Sequence, residues 1–195
     1  MPRLALISGS GENAVGVAGA LRQAGAHVVL ASDLTVLEAA VGRLEPGSLD
    51  CYIQLPHTVD LVGETVVARV QDFLRRGLLA RFSAADLVQP VLSNDATVVL
   101  MAGNTPVQGG VAPDDQAARF ALLEVLAHAI RADRAPAVIR VRVVDHACPA
   151  VEVAELALSG RLPRSKAVDD LLNRQNDMSY ADWRVEVMGL AAVQV

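Results

Sequence analysis

A glycine-rich turn near the start of the chain has residue types that can hold a phosphate group. Gly9, Gly11 and Ala14 follow a short apolar run with the spacing G-x-G-x-x-G/A. Such glycines let the backbone approach a pyrophosphate, which then binds the amide groups of a helix N-terminus. Asp33 follows about where an acid would hold an adenosine ribose. The pattern favours NAD(P) binding, but any tight strand-to-helix turn favours glycine, and Glu12 places a negative charge at the phosphate position.

A second group of residues with chemical potential consists of His57, Asp145, His146 and Cys148. They follow two predicted strands, at the edge where α/β sheets place their ligand sites. A cysteine beside a histidine can act as a nucleophile, so an enzyme built on this group is one alternative. The other is that the pair is incidental. We expect Cys51 and Cys148 to be buried and reduced, and we predict no metal site because neither has metal-ligand spacing.

The elements that carry these residues alternate between strands and helices. Strands are predicted over Leu4–Ser8, His27–Ala31, Leu49–Leu55, Ala96–Ala102, Val138–Val144 and Trp183–Met188. Helices are predicted over Ala14–Ala24, Leu34–Arg43, 64–92 (bent or broken near Gly77), 113–132, Val151–Leu158 and Pro163–Asn173. This alternation predicts an α/β fold, a doubly wound parallel sheet with helices on both faces, in a single domain over 1–195. A flavodoxin-type sheet fits the alternation equally well.

The composition excludes several classes of protein. Hydrophobic residues make up 52% of the chain and aromatic residues only 3%, so Ala, Val and Leu must build the core. The net charge of −5 and the lack of a Lys/Arg run argue against a nucleic-acid partner. No apolar run is long enough to cross a bilayer, and the N-terminus does not resemble a signal peptide. We therefore expect no membrane partner and a cytoplasmic location.

The order and character of these segments resemble the short-chain dehydrogenase/reductase superfamily. ALISGSGENAVGVAGALRQAGAHVVLASD resembles the family's opening strand, turn, helix and strand, and LDCYIQLP its central strand. NDATVVLMAGNTPVQGG resembles the strand that leads to the catalytic serine. PDDQAARFALLEVLAHAI resembles the helix with the catalytic tyrosine and lysine, and VIRVRVVDHACP the strand after it. The resemblance implies a Rossmann-like fold.

The same resemblance leaves the family's catalytic positions without suitable side chains. Ala112 and Gln116 stand where the family has its tyrosine, a general acid, and its lysine. No tyrosine precedes Lys166, the only lysine, by four residues. The serine position falls among Ala102–Asn104, none of which has a hydroxyl group, and the asparagine position falls near Gly77. We therefore expect no catalytic residues.

Further departures concern the cofactor. The glycine-rich turn is one residue shorter than the family's, and Gln54-Leu55-Pro56 replaces the Asn-Asn-Ala-Gly signature. The segment between Asp33 and Asp50 is too short to contain the family's third strand, which flanks the adenine pocket. We expect a sheet truncated after strand two and no bound cofactor, with a vestigial NAD(P) site at the glycine turn as the alternative.

The predicted helices over 64–92 and 113–132 are candidates for an interface. Between Phe120 and Ala127, Glu124 is the only polar residue, whereas a helix that covers one sheet face needs only one apolar stripe. In the resembled family the equivalent helices pair with their copies across a twofold axis. We expect a homo-oligomer or a complex with an active dehydrogenase, and a deeply buried helix in a monomer is the alternative.

These features predict a non-catalytic subunit that keeps the scaffold and assembles with an active dehydrogenase/reductase. Heteromeric dehydrogenases such as hydroxybenzylsuccinyl-CoA dehydrogenase pair a competent with a defective subunit, and the chain resembles the defective one. That resemblance implies an acyl-CoA substrate for the complex. The alternatives are an NAD(P)-binding sensor or regulatory module and an oxidoreductase with an unrelated catalytic constellation.

Overall fold

The computed structural model describes residues 2–56, 62–103 and 115–159, with no side chains for 115–119. The strands are β1 (Leu4–Ser8), β2 (His27–Ala31), β3 (Leu49–Gln54), β4 (Leu92–Met101) and β5 (Arg140–Val144). The helices are α1 (Glu12–Gln23), α2 (Leu34–Val41), α3 (Val66–Phe73), α4 (Ala80–Val88), α5 (Asp115–Asp133) and α6 (Ala150–Ser159). A π-helical turn, Leu74–Leu79, joins α3 to α4, and a 3₁₀ turn, Gln89–Val91, joins α4 to β4.

The five described strands form one parallel sheet in the order β2-β1-β3-β4-β5. This is the Rossmann order 3-2-1-4-5-6 with its third strand removed, and it is also the order of flavodoxin-type sheets. The strand that follows β2 along the chain is β3, and it pairs on the far side of β1, so β2 lies at an edge of the described sheet. The predicted parallel α/β fold and its truncation after strand two are both confirmed.

Each face of the sheet has its own apolar core. Side chains of α2, α4 and α5 pack on one face around Leu6, Tyr52 and Val98. Side chains of α1 and α6 pack on the other face around Ile7, Ile53 and Val99. The odd and even positions of each strand therefore point to different cores, and both faces are covered, as in doubly wound proteins.

The predicted break near Gly77 is a π-helical turn. A Cβ atom at Gly77 would lie only 3.0 Å from the Phe73 ring, so glycine allows the ring to pack against the helix. A π turn accommodates an extra residue in a helix, and such turns are frequent at functional sites. The glycine therefore marks a change of helix geometry and not a loop.

The largest boundary error concerns β4, which begins at Leu92 and not at Ala96. Leu92 pairs with Leu49, and the register then shifts before Cys51 pairs with Thr97. Ser93 is partly exposed and Asn94 and Asp95 are exposed, and these polar residues separate Leu92 from the apolar run that begins at Ala96. The predicted elements Pro163–Asn173 and Trp183–Met188 lie outside the described residues, so the single-domain prediction stays untested there. No described helix is long and apolar enough to cross a membrane.

Candidate functional site

The two glycines of the turn after β1 have different surroundings. Both have positive φ angles, +128° at Gly9 and +92° at Gly11, in the region that favours glycine. The Gly9 amide donates to Ala31 O at 2.9 Å, and a Cβ atom at Gly9 would lie 2.7 Å from Leu55 Cβ. A Cβ atom at Gly11 would meet nothing within 4 Å among the described residues. Gly9 is therefore needed for packing, while Gly11 borders open space.

The N-terminus of α1 offers a phosphate-sized group of donors. Gly11 is the N-cap and provides no side-chain cap, while the amides of Ala14 and Val15 donate to Gly11 O. No partner is described for the amides of Glu12 and Asn13, so they can receive an anion. The carboxylate of Glu12, in the same first turn, opposes a phosphate electrostatically. The turn therefore fits a pyrophosphate by shape but poorly by charge.

Asp33, predicted to hold a ribose, is the N-cap of α2. Its Oδ1 accepts from the Val36 amide at 2.9 Å, and its Oδ2 accepts from Ser32 Oγ at 2.8 Å. Such a cap stabilises a helix by about 1 kcal/mol, which explains an aspartate here without any ligand. The ribose role stays a prediction. Because β2 is at the edge of the described sheet, no described strand lies beyond Asp33 to flank an adenine.

The candidate nucleophile Cys148 is not activated. Burial raises the pKa of its thiol, and the nearby carboxylates of Glu152 and Asp145 raise it further. A reactive thiolate needs positively charged surroundings that lower its pKa. Asp145 is instead engaged with His146, whose Nδ1 lies 3.0 Å from Asp145 Oδ1. These contacts argue against a Cys–His enzyme, and His57, the other candidate, lies outside the described residues.

The two cysteines differ in burial. Cys51 is fully buried, its Sγ donates to Ala157 O at 3.1 Å, and burial raises its pKa to about 11, which confirms a core residue. Cys148 is only partly buried, so the expectation for this residue was wrong. It lies in the turn just before α6, where only one side of the chain packs against the core.

A buried polar network that the sequence did not reveal lies at the carboxyl ends of the strands. Ser8, Tyr52 and Gln54, on β1 and β3, are each at most 1% exposed. Ser8 Oγ and Tyr52 OH are 2.7 Å apart, and Gln54 Nε2 donates to Tyr52 OH at 3.2 Å. Burial raises the pKa of Tyr52, so its phenol is neutral at physiological pH. The network joins the ends of β1 and β3.

Arg81 of α4 extends this network to β4. Its Nε donates to Gln54 Oε1 at 2.9 Å, and its Nη2 donates to Gln54 O at 3.2 Å and to Met101 O at 2.8 Å. The side chain is only 4% exposed, and burial lowers the pKa of Arg81 to about 10, so it stays charged at neutral pH. The available signal was the helical spacing of Arg81 with the buried Ala84, Ala85 and Val88.

The end of β4, where the resemblance places the catalytic serine, is closed. Ala102 is 1% exposed, and a Cβ atom at Gly103 would lie 2.2 Å from Pro56 Cβ. A serine side chain at position 103 would therefore overlap Pro56. Ala112 lies outside the described residues. Gln116 lies in α5, but its side chain is not described.

Comparison with known proteins places this fold. No protein-family profile matches the sequence, and no curated protein is a significant relative. A variant of the Serratia marcescens short-chain dehydrogenase/reductase has a TM-score of 0.60 at 14% identity, covering 83% of this chain and 90% of that one. E. coli BdcA has a TM-score of 0.55 at 18% identity, covering 80% and 89%.

A small-chain dehydrogenase solved in complex with NADPH is also similar. Its TM-score is 0.57 at 16% identity, and the match covers 74% of this chain and 70% of that one. At such low identity these likenesses establish a fold and no activity. The chain has the Rossmann-like fold of the short-chain dehydrogenases/reductases, shortened after the second strand.

Proposed function

We propose that the chain is a non-catalytic subunit that keeps this scaffold and assembles with an active short-chain dehydrogenase/reductase. The observation that carries the proposal is the closed end of β4, where Pro56 fills the space beside Gly103. A serine at position 103 would overlap Pro56, and neither Ala102 nor Asn104 has a hydroxyl group that could polarise a substrate carbonyl. The sequence also has no tyrosine and lysine at the required spacing to deliver a proton. The resemblance to a defective subunit adds that the active partner acts on an acyl-CoA.

The surface of α5 supports a role in association. Leu123 and Leu126 are buried in the core, while Val125 is 59% exposed and Leu122 and Ala129 are only partly covered. Helical spacing gives two neighbouring apolar stripes, Phe120–Leu123–Leu126 and Leu122–Val125–Ala129. Apart from Phe120, which is 38% exposed, the first stripe faces the core, and the second faces outward. We call it the outward stripe.

Further apolar surface lies between α4 and α5 and on α3. A groove of about 340 Å³ between α4 and α5 is lined by Phe82, Leu126 and Ile130, with Asp86 and Asp133 among its polar residues. On α3, Val66 and Val67 are 62% and 67% exposed. A protein partner that covers α5 would remove these apolar side chains from water, because soluble monomers rarely expose contiguous apolar patches.

Charge substitution on the outward stripe tests the proposal. We expect Val125→Glu to prevent association with the partner. Val15→Glu, at a valine on α1 of similar exposure (69% against 59%), should leave association intact. Light scattering, with and without a candidate dehydrogenase that has an intact Tyr-x-x-x-Lys, measures the assembly, and circular dichroism checks the fold. The interface should bury at least about 1,000 Å² in total. A wild-type chain that stays a folded monomer in both conditions would refute the proposal.

The second candidate function is an NAD(P)-binding sensor, and the open space at Gly11 beside the α1 amides favours it. Calorimetric titration with NAD(H) and NADP(H) separates the two candidates. A dissociation constant at or below about 10 μM, or roughly −7 kcal/mol, would favour the sensor. Gly11→Glu should then abolish binding, while Gly47→Glu, at another exposed glycine with positive φ, should not. The subunit proposal expects weaker binding or none.

A further inference from the structure

Arg81 is a buried cation that no described carboxylate neutralises. The described salt bridges involve other residues, and the partners of Arg81 are the side chain and carbonyl of Gln54 and the carbonyl of Met101. Burying a charge is costly unless it is paired, and neutral oxygens compensate for only part of this cost. The folded chain therefore keeps a positive charge that an anion would stabilise.

The position of this charge is typical of a ligand site. Gln54 and Met101 are the last residues of β3 and β4, so the guanidinium lies at the carboxyl edge of the parallel sheet. Open α/β sheets bind their ligands outside this edge. The group also lies across β3 from the glycine turn, and a ligand held here would not need the N-terminus of α1.

Hydrogen bonds hold the Arg81 guanidinium in place through two of its three nitrogens, Nε and Nη2. Nε donates to Gln54 Oε1, and Nη2 donates to the carbonyl oxygens of Gln54 and Met101. These three bonds fix the plane of the guanidinium group. No described residue accepts a hydrogen bond from Nη1. A fixed donor of this kind binds an anion with little loss of side-chain entropy.

We propose that Arg81 Nη1 binds an oxyanion, the carboxylate or phosphate group of a small molecule, at the carboxyl edge of β3 and β4. The site is independent of any protein partner, so it goes beyond the proposed subunit role. No described group nearby cancels the charge, since the adjacent Tyr52 hydroxyl is a neutral phenol within the same network. The competing explanation is a purely structural clamp between the two strand ends, which requires no anion.

Titration of the folded, full-length chain distinguishes the two explanations. Inorganic phosphate and acetate are added separately at constant ionic strength, and the amide NMR signals of the Gln54 side chain and of Ala102 are followed. We expect saturable shifts at these signals with at least one of the two anions, and the one that binds identifies the class. Arg81→Gln should weaken binding at least about 10-fold, because a charge-assisted hydrogen bond is lost. Arg43→Gln, at an exposed arginine, is the matched control and should change nothing.

Three results would overturn the proposal. The first is the lack of saturable shifts with either anion in the wild-type chain. The second is a folded Arg81→Gln variant that binds as tightly as the wild type. The third is a set of shifts centred on Glu12 and Asn13, which would place the anion at the glycine turn. If Arg81→Gln does not fold, the set of NMR signals that shift in the wild-type chain decides the question. Arg81→Lys is then the second variant, because it keeps the positive charge but lacks the planar guanidinium group.

Discussion

Removing the hydroxyl groups of Ser8 and Tyr52, one at a time and together, tests the buried network most directly. The two oxygens are 2.7 Å apart, and both side chains are 1% exposed. Ser8→Ala and Tyr52→Phe should each lower the free energy of unfolding by about 1–3 kcal/mol. Tyr52→Phe leaves the buried Ser8 hydroxyl without its partner, and Ser8→Ala leaves the Tyr52 hydroxyl with only the hydrogen bond from Gln54 Nε2. For a chain of 195 residues, each kcal/mol corresponds to a fall in Tm of roughly 2–4 °C.

The double variant should cost less than the sum of the two single variants. Replacing both partners leaves no orphaned hydroxyl in this pair, and Gln54 Nε2 keeps its bond to Arg81 O at 2.8 Å. We expect a coupling of about 1 kcal/mol, well above the ~0.3–0.5 kcal/mol that independent sites show. Urea denaturation followed by circular dichroism measures all four proteins. Additive losses would mean that Ser8 and Tyr52 do not share a hydrogen bond, and the network would then be wrong.

Two further predictions concern a glycine and an aspartate. Gly9→Ala should destabilise the fold by about 2 kcal/mol or more, because the new methyl group would overpack against Leu55 and the positive φ angle is unfavourable for alanine. Gly19→Ala, at a helical position of α1 with no neighbouring atom within 4 Å, should stabilise the fold by about 0.5–1 kcal/mol. Thermal unfolding measures both variants. A tolerated Gly9→Ala would contradict the packing of the turn. A hydrogen bond from Arg76 lowers the pKa of Asp72 to about 2. Ionised Asp72 therefore stabilises the fold fully above the unfolded-state pKa of about 4, and this stabilisation is lost as the pH falls towards 2. In urea titrations from pH 7 down to 2, the stability gap between wild type and Asp72→Asn should shrink below pH ~4, and a constant gap would exclude the ion pair.

The fold was predictable because its strands are short apolar runs between turn-forming residues. Leu4–Ser8 and His27–Ala31 match the predicted strands residue for residue, since Arg3 and Gly9 bound the first strand, and Gly25 and Ser32 mark the turns around the second. Parallel strands buried on both faces have few internal polar residues, so composition marks their ends. The extension of β4 back to Leu92 was missed because Ser93, Asn94 and Asp95 interrupt the apolar run, and the register shift between the Leu49–Leu92 and Cys51–Thr97 pairs falls on this segment.

The candidate site was less predictable because it depends on contacts between distant segments. Arg81 and Gln54 are 27 positions apart, and nothing in the spacing of either residue indicates the other. From the sequence, Gln54 was only a departure from a family signature. The choice between the stripes containing Leu122 and Leu123 was likewise undecidable, since helical periodicity gives both stripes but not the direction of the sheet. The position of Asp33 was predicted, but its role as a helix cap needed the geometry of α2.

The closeness of Gly103 and Pro56 has a consequence for any redesign of this edge of the sheet. A side chain introduced at position 103 would lie where Pro56 already lies. It would be tolerated only together with a change at position 56. The two positions therefore form one unit of design: a library that varies position 103 alone contains only clashing variants, whereas a library that varies both positions together can place a new functional group at the end of β4.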